Sequence, residues 1–126
     1  MIIGIDASRA NITQKTGVEW YSYNLINEIK KIDDKNQYIL YSQDKLNNEL
    51  GILPKNFKSK VLNWPFKKMW TQLRLWFNAN IDKNNYLFIP AGIIPILPFK
   101  NYRIITTIHD VAFLEYPEYF SNKEIL

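Results

Sequence analysis

Short apolar runs recur along the chain, separated by polar or amphipathic stretches, and this alternation sets the expected architecture. The first run, Ile2 to Ile5, starts at the amino terminus and does not alternate, as expected of a strand covered on both faces. After a polar loop from Ala7 to Lys15, Thr16-Gly17-Val18-Glu19 fits a capping box. Val18, Tyr21, Leu25, Ile29 and Ile32 then follow at spacings of three and four, which predicts an amphipathic helix to about Ile32. Asp33-Asp34-Lys35-Asn36 is a turn, Gln37 to Ser42 a second strand, and Asp44 to Leu50 a short helix ended by Gly51. Lys58 to Leu62 is expected as a third strand, and Trp64-Pro65 breaks the chain before a helix over Phe66 to Asn78. Tyr86 to Ile89 is a fourth strand stopped by Pro90, and Ala91 to Phe99, with Pro95 and Pro98, is a loop. Tyr102 to Ile108 is a fifth strand, His109 to Glu115 a loop, Tyr116-Pro117-Glu118 a turn, and Ser121 the cap of a final helix.

Strands alternating with helices predict one α/β domain over residues 1–126, with a Rossmann-like, doubly wound, mainly parallel sheet and helices on both faces. The sequence stops barely one turn into its final helix, so a piece of a longer chain is expected. The 47% hydrophobic and 22% charged composition is that of a globular domain. Cysteine is absent and His109 is the only histidine, which excludes disulfides, thiolate zinc and multi-histidine metal sites. The N-terminal run is too short for a signal peptide and no run is long enough to span a bilayer. A cytoplasmic protein, soluble or peripheral at the inner membrane face, is the expectation. The net charge is +4, but from Gly51 to Ile81 there are basic residues and no acidic one. Such a patch suits phosphate, anionic lipid or nucleic acid, or is simply a solvated face.

In an open parallel sheet, ligands bind outside the carboxyl ends of the strands, where strand order reverses. If the first and fourth strands flank that point, the loops Asp6 to Gly17, Pro90 to Phe99 and His109 to Glu115 share one crevice. Gly17 opens the first helix, where free amides and the helix dipole suit a phosphate, or it merely shapes the corner. The G-x-G-x-x-G dinucleotide fingerprint is absent. His109, at a strand's carboxyl end, can exchange a proton with a sugar hydroxyl or oxyanion. Asp110 either joins it or binds amides of its own loop. Arg9 and Lys15 can meet an anionic ligand, and Asp6 orients a hydroxyl or caps its loop. Along the Trp64 to Phe77 segment, Met69, Leu73 and Trp76 form one apolar stripe and Phe66, Trp70 and Phe77 another. One must pack on the sheet; the other can touch lipid, a partner chain or a further domain.

Three segments in order carry a resemblance: Ile3-Gly4-Ile5-Asp6-Ala7-Ser8-Arg9, Thr16-Gly17-Val18-Glu19-Trp20-Tyr21-Ser22-Tyr23-Asn24-Leu25, and Thr107-Ile108-His109-Asp110-Val111-Ala112-Phe113 with Tyr116-Pro117-Glu118-Tyr119-Phe120. Together they resemble the N-terminal domain of family 4 (group 1) glycosyltransferases, which have the GT-B fold. The resemblance implies a retaining transfer of a sugar from a nucleotide-sugar to a hydroxyl acceptor, a glycan or glycolipid. It implies no metal and no cofactor beyond the donor. The partners it implies are donor, acceptor and the C-terminal domain of the same chain, and no nucleic acid. Gly17 would lie near the donor phosphates and His109 at the reaction centre, with Arg9, Lys15 and Asp110 on the substrate side. Many members carry a small residue and an arginine where this chain has Glu19 and Trp20, so no side-chain phosphate contact is expected there. A fragment of this kind would be inactive alone. The alternative is a non-catalytic module that docks a membrane or a partner protein through its Trp- and Lys-rich helix.

Overall fold

A computed structural model describes residues 1–66, 69–98 and 101–119, with only the backbone of 113 and 117. The helix expected after Ser121 lies outside the described residues. Five parallel strands form one sheet: β1 (Ile2–Asp6), β2 (Gln37–Ser42), β3 (Phe57–Val61), β4 (Tyr86–Ile89) and β5 (Arg103–Thr106). Their order is β3-β2-β1-β4-β5, so the direction of winding reverses between β1 and β4. Ile3 pairs with both Tyr38 and Tyr86, which puts β1 at the centre.

Helices cover both faces. On one, α1 (Gly17–Ile32) buries Ile26 against Ile5, Leu40, Tyr38 and Phe57. On the other, a π-helical turn (Trp70–Leu75) that continues as α2 (Trp76–Ile81) buries Trp70, Leu75 and Ala79 against Tyr41, Leu87 and Ile89. The chain is thus an α/β domain with a Rossmann-like, all-parallel sheet.

The capping box forms as the sequence predicts. The Thr16 amide donates to Glu19 Oε2 at 3.1 Å, and the Thr16 hydroxyl donates to the same carboxylate. The buried face of α1 is nevertheless rotated from the predicted stripe. Glu19, Ser22 and Ile26 are buried, whereas Tyr21 and Ile32 are exposed. Two polar residues can face inward because both are satisfied: Glu19 by Thr16 and Arg9, and Ser22 by donating to the Val18 carbonyl at 2.9 Å.

Five other expectations shift, each for a local reason. The helix expected from Asp44 shrinks to a 3-10 turn, Asn48–Gly51, because Asn11 holds the preceding residues by side-chain bonds to Lys45 O and Asn47 N. The helix expected from Phe66 starts only at Trp70. Met69, at φ +67°, cannot join a right-handed helix, and the Trp70 indole donates to the Leu62 carbonyl at 2.9 Å. The same register overturns the predicted stripes: Trp70 turns inward, while Phe66, Met69, Leu73 and Phe77 are exposed. β5 ends at Thr106 rather than Ile108, because its neighbour β4 stops at Pro90; the last bond, Thr107 N to Ile89 O, is already 3.4 Å. Within the loop expected after β5, Ala112–Glu115 forms one helical turn, α3, begun by Asp110 accepting the Ala112 amide at 3.1 Å.

Candidate functional site

An open crevice of about 1130 Å³ lies at the carboxyl ends of the strands. The loops after β1, β2 and β4 and the first turn of the π-helix line it. This is the place that the reversal between β1 and β4 creates. Its lining mixes hydroxyl and amide side chains, among them Ser8, Asn11, Thr13, Gln43, Asn47 and Gln72, with the charged Asp6, Arg9, Asp44 and Lys45 and with Trp70, Met69 and Ile93 as apolar patches.

Asp6 and Arg9 both belong to the crevice. Asp6 ends β1 and is only 4% exposed. Its Oδ1 accepts the Ser8 amide at 2.9 Å and the Ser8 hydroxyl at 2.6 Å. Burial pushes its pKa up to about 6, against those bonds and the Arg9 charge, which pull it down. Asp6 therefore caps its own loop, as one of the two sequence readings had it, and also lines the crevice. Arg9 reaches Glu19 at 3.3 Å, with over half of its side chain exposed. The Thr16 hydroxyl bond is the main reason that Glu19 is held below the usual carboxylate range.

Lys15 lies outside the crevice. Its ammonium donates to the Ile12 carbonyl at 2.6 Å and sits 5.0 Å from the Tyr23 ring and 5.4 Å from the Trp20 ring. It lines a smaller adjoining pocket of about 310 Å³. Gly17, the first residue of α1, is exposed, and a Cβ added there would meet no described residue within 4 Å.

His109 does not line the crevice either, so the three-loop crevice is corrected: the loop after β2 and the π-turn take the place of the loop after β5. The His109 Nε2 lies 2.8 Å from the Pro90 carbonyl. A carbonyl only accepts, so Nε2 donates this bond and Nδ1 is the ring nitrogen left over. The imidazole packs edge-on against Tyr21, 5.0 Å between centroids, and the Tyr21 hydroxyl is 3.2 Å from Thr107 Oγ1. His109 therefore rests on the first turns of α1, four residues from Gly17 through Tyr21, and is tied to the residue just before Ala91 of the crevice wall. Asp110 bonds its own loop and has no recorded bond to His109 among the described residues.

The Gln43 to Asn47 wall was missed by reading the sequence, although the end of β2 is a carboxyl end like the others. The Met69 to Gln72 wall had no signal, since it depends on the delayed start of the helix. Among the described residues there is no group of three His, Cys, Asp or Glu side chains able to hold a metal, and no helix long and apolar enough to cross a membrane. No family model, no curated protein and no solved structure matches the chain.

Proposed function

We propose that this chain is the N-terminal, acceptor-side half of a GT-B retaining glycosyltransferase, which receives its nucleotide-sugar from a second Rossmann-like half of the same protein. The observation that carries the reading is the packing of His109 on the first turns of α1, close to Gly17 and beside the crevice. Residues some ninety positions apart in sequence are thereby joined at the amino end of α1, next to the switch-point crevice but outside its lining.

The division of labour follows from the chemistry. The crevice, rich in hydroxyls and amides, takes a hydroxyl-rich acceptor, because such groups match sugar hydroxyls as both donors and acceptors. Asp6, fixed at the crevice by Ser8, accepts a hydrogen bond from one of those hydroxyls. The open amino end of α1 at Gly17 admits the donor diphosphate. Nδ1 of His109 accepts from a hydroxyl at the reacting centre, with the ring oriented by Pro90 and Tyr21.

The test is sugar transfer in the parent protein. The 126-residue chain alone should show no multiple-turnover transfer. The parent should transfer sugar with retention at the anomeric carbon, and His109→Ala should lower kcat/KM by about a hundredfold, the scale of a lost proton-exchanging group. Near-normal transfer by that variant removes His109 from the chemistry. Multiple turnover by the chain alone would overturn the half-site reading.

A further inference from the structure

Phe66, Met69, Leu73, Phe77 and Ile81 follow one another at spacings of three and four, and all are between 39% and 66% exposed. Leu73, Phe77 and Ile81 form an apolar stripe on the outer face of the π-turn and α2, opposite the buried Trp70, Leu75 and Ala79, and Phe66 and Met69 are exposed in the chain just before the helix starts. The loop after β4 widens it. Gln72 donates to the Ile94 carbonyl at 2.8 Å and accepts the Ile96 amide at 2.9 Å, and the Trp76 indole donates to the Pro98 carbonyl at 3.2 Å. These three bonds fasten the loop along the helix, with Ile93 and Ile96 at 72% and 76% exposure. Exposed apolar surface of this continuity marks an interaction face rather than scattered surface residues.

The charge of the segment selects the partner. Between Glu49 and Asp110 the sequence has nine lysines and arginines and a single carboxylate, Asp82. Lys60 and Asp82 neutralise each other, at 2.8 and 2.9 Å with the Tyr41 hydroxyl also donating to Asp82 at 2.8 Å, which leaves eight cations in the segment. The remainder of the chain carries seven cations and eleven carboxylates. A second copy docked on the same face would bring two cationic segments together, which disfavours self-association. An anionic lipid surface offers both complements, acyl chains for the stripe and headgroup charge for the cations.

We infer that the outer face of the π-turn, α2 and the loop fastened to it seats the protein on an anionic membrane surface. The inference stands apart from the chemistry of the crevice. The experiment is flotation of the purified 126-residue chain with phosphatidylcholine vesicles, plain or containing roughly one-third phosphatidylglycerol. The chain should float with the anionic vesicles at least about tenfold more tightly than with the neutral ones, and high salt should weaken this binding. Lys83→Gln, at an exposed cation just beyond α2, should weaken it about fivefold. Leu73→Asp with Phe77→Asp should abolish it while circular dichroism and the urea midpoint stay near wild type, since both side chains are exposed. Should that double variant misfold, Ile96→Asp on the loop should still reduce binding severalfold. Equal affinity for both vesicles, no flotation at all, or binding undiminished in folded variants would overturn the inference. So would a dimer that Phe77→Asp dissociates in a chain that ignores vesicles.

Discussion

Asp6 is a carboxylate placed where its charge is costly. Its pKa rises from 3.8 to about 6 because burial removes water from the ionised form faster than Ser8 and Arg9 restore stabilisation. Between those two values the folded chain holds a proton that the unfolded chain releases, so stability falls as pH rises through that window. At neutral pH the group costs up to about 3 kcal/mol relative to its protonated form. Asp6→Asn keeps an acceptor for Ser8 and removes the charge. In urea unfolding it should exceed wild type by about 2 kcal/mol near pH 7.5, with the gap closing toward pH 4. Parallel pH profiles for the two proteins would contradict this. Gly17 makes a complementary case. No described residue occupies the space of a Cβ there, so Gly17→Ala should leave stability within about 1 kcal/mol of wild type. A larger loss would mean that the fold itself requires glycine. An unchanged fold with impaired transfer in the parent would trace the requirement to a ligand. Neither result was foreseeable from residue type alone, because burial and open space are properties of the surroundings.

At the scale of elements, one glycine lets the central strand approach a buried polar network. A Cβ on Gly4 would lie 2.5 Å from Asn84 Nδ2 and 2.7 Å from the Tyr41 ring. Both atoms are fixed: Asn84 donates to the Tyr41 hydroxyl at 2.9 Å, and that hydroxyl donates to Asp82. Burial, before any other cause, raises the Tyr41 pKa, so its hydroxyl stays protonated and available as a donor. Gly4→Ala should therefore destabilise the domain by about 2–3 kcal/mol, the scale of an overpacked core, read as a lower urea midpoint with unchanged slope. A neutral effect would show that the network yields easily. The sequence displayed Gly4 only as a small residue inside an apolar run. The strands themselves were legible: β2 and β4 lie where the apolar runs lie, and the others shift at their ends. Element ends and helix faces were less so. Asn11, Met69 and Pro90 decide them through a side-chain bond, a left-handed residue and a missing donor, and none of these leaves a periodic trace.

The whole molecule joins two surfaces with different chemistry, a crevice of mixed polar and apolar lining at the switch point and an apolar stripe in a cationic segment. Met69, just before the helix, and Ile93, on the loop fastened to it, line the crevice, so the crevice opens beside the stripe. The parallel sheet and the position of the crevice followed from the alternation of strands and helices, because strand order in such sheets dictates where ligands sit. Which loops form the walls did not, since that depends on where β5 stops and where the second helix begins. His109 and Gly17 lie far apart in the sequence, and only the edge-on packing on Tyr21 joins them. The central claim is that the crevice holds a hydroxyl-rich acceptor. Amide-resolved NMR titration of the chain with a panel of saccharides tests it most directly. The account predicts shifts concentrated at Asp6 to Thr13, Gln43 to Asn47 and Ala91 to Ile93, reduced in Asp6→Asn. Saccharides that leave these amides unmoved, or that shift only residues away from the crevice, would contradict it.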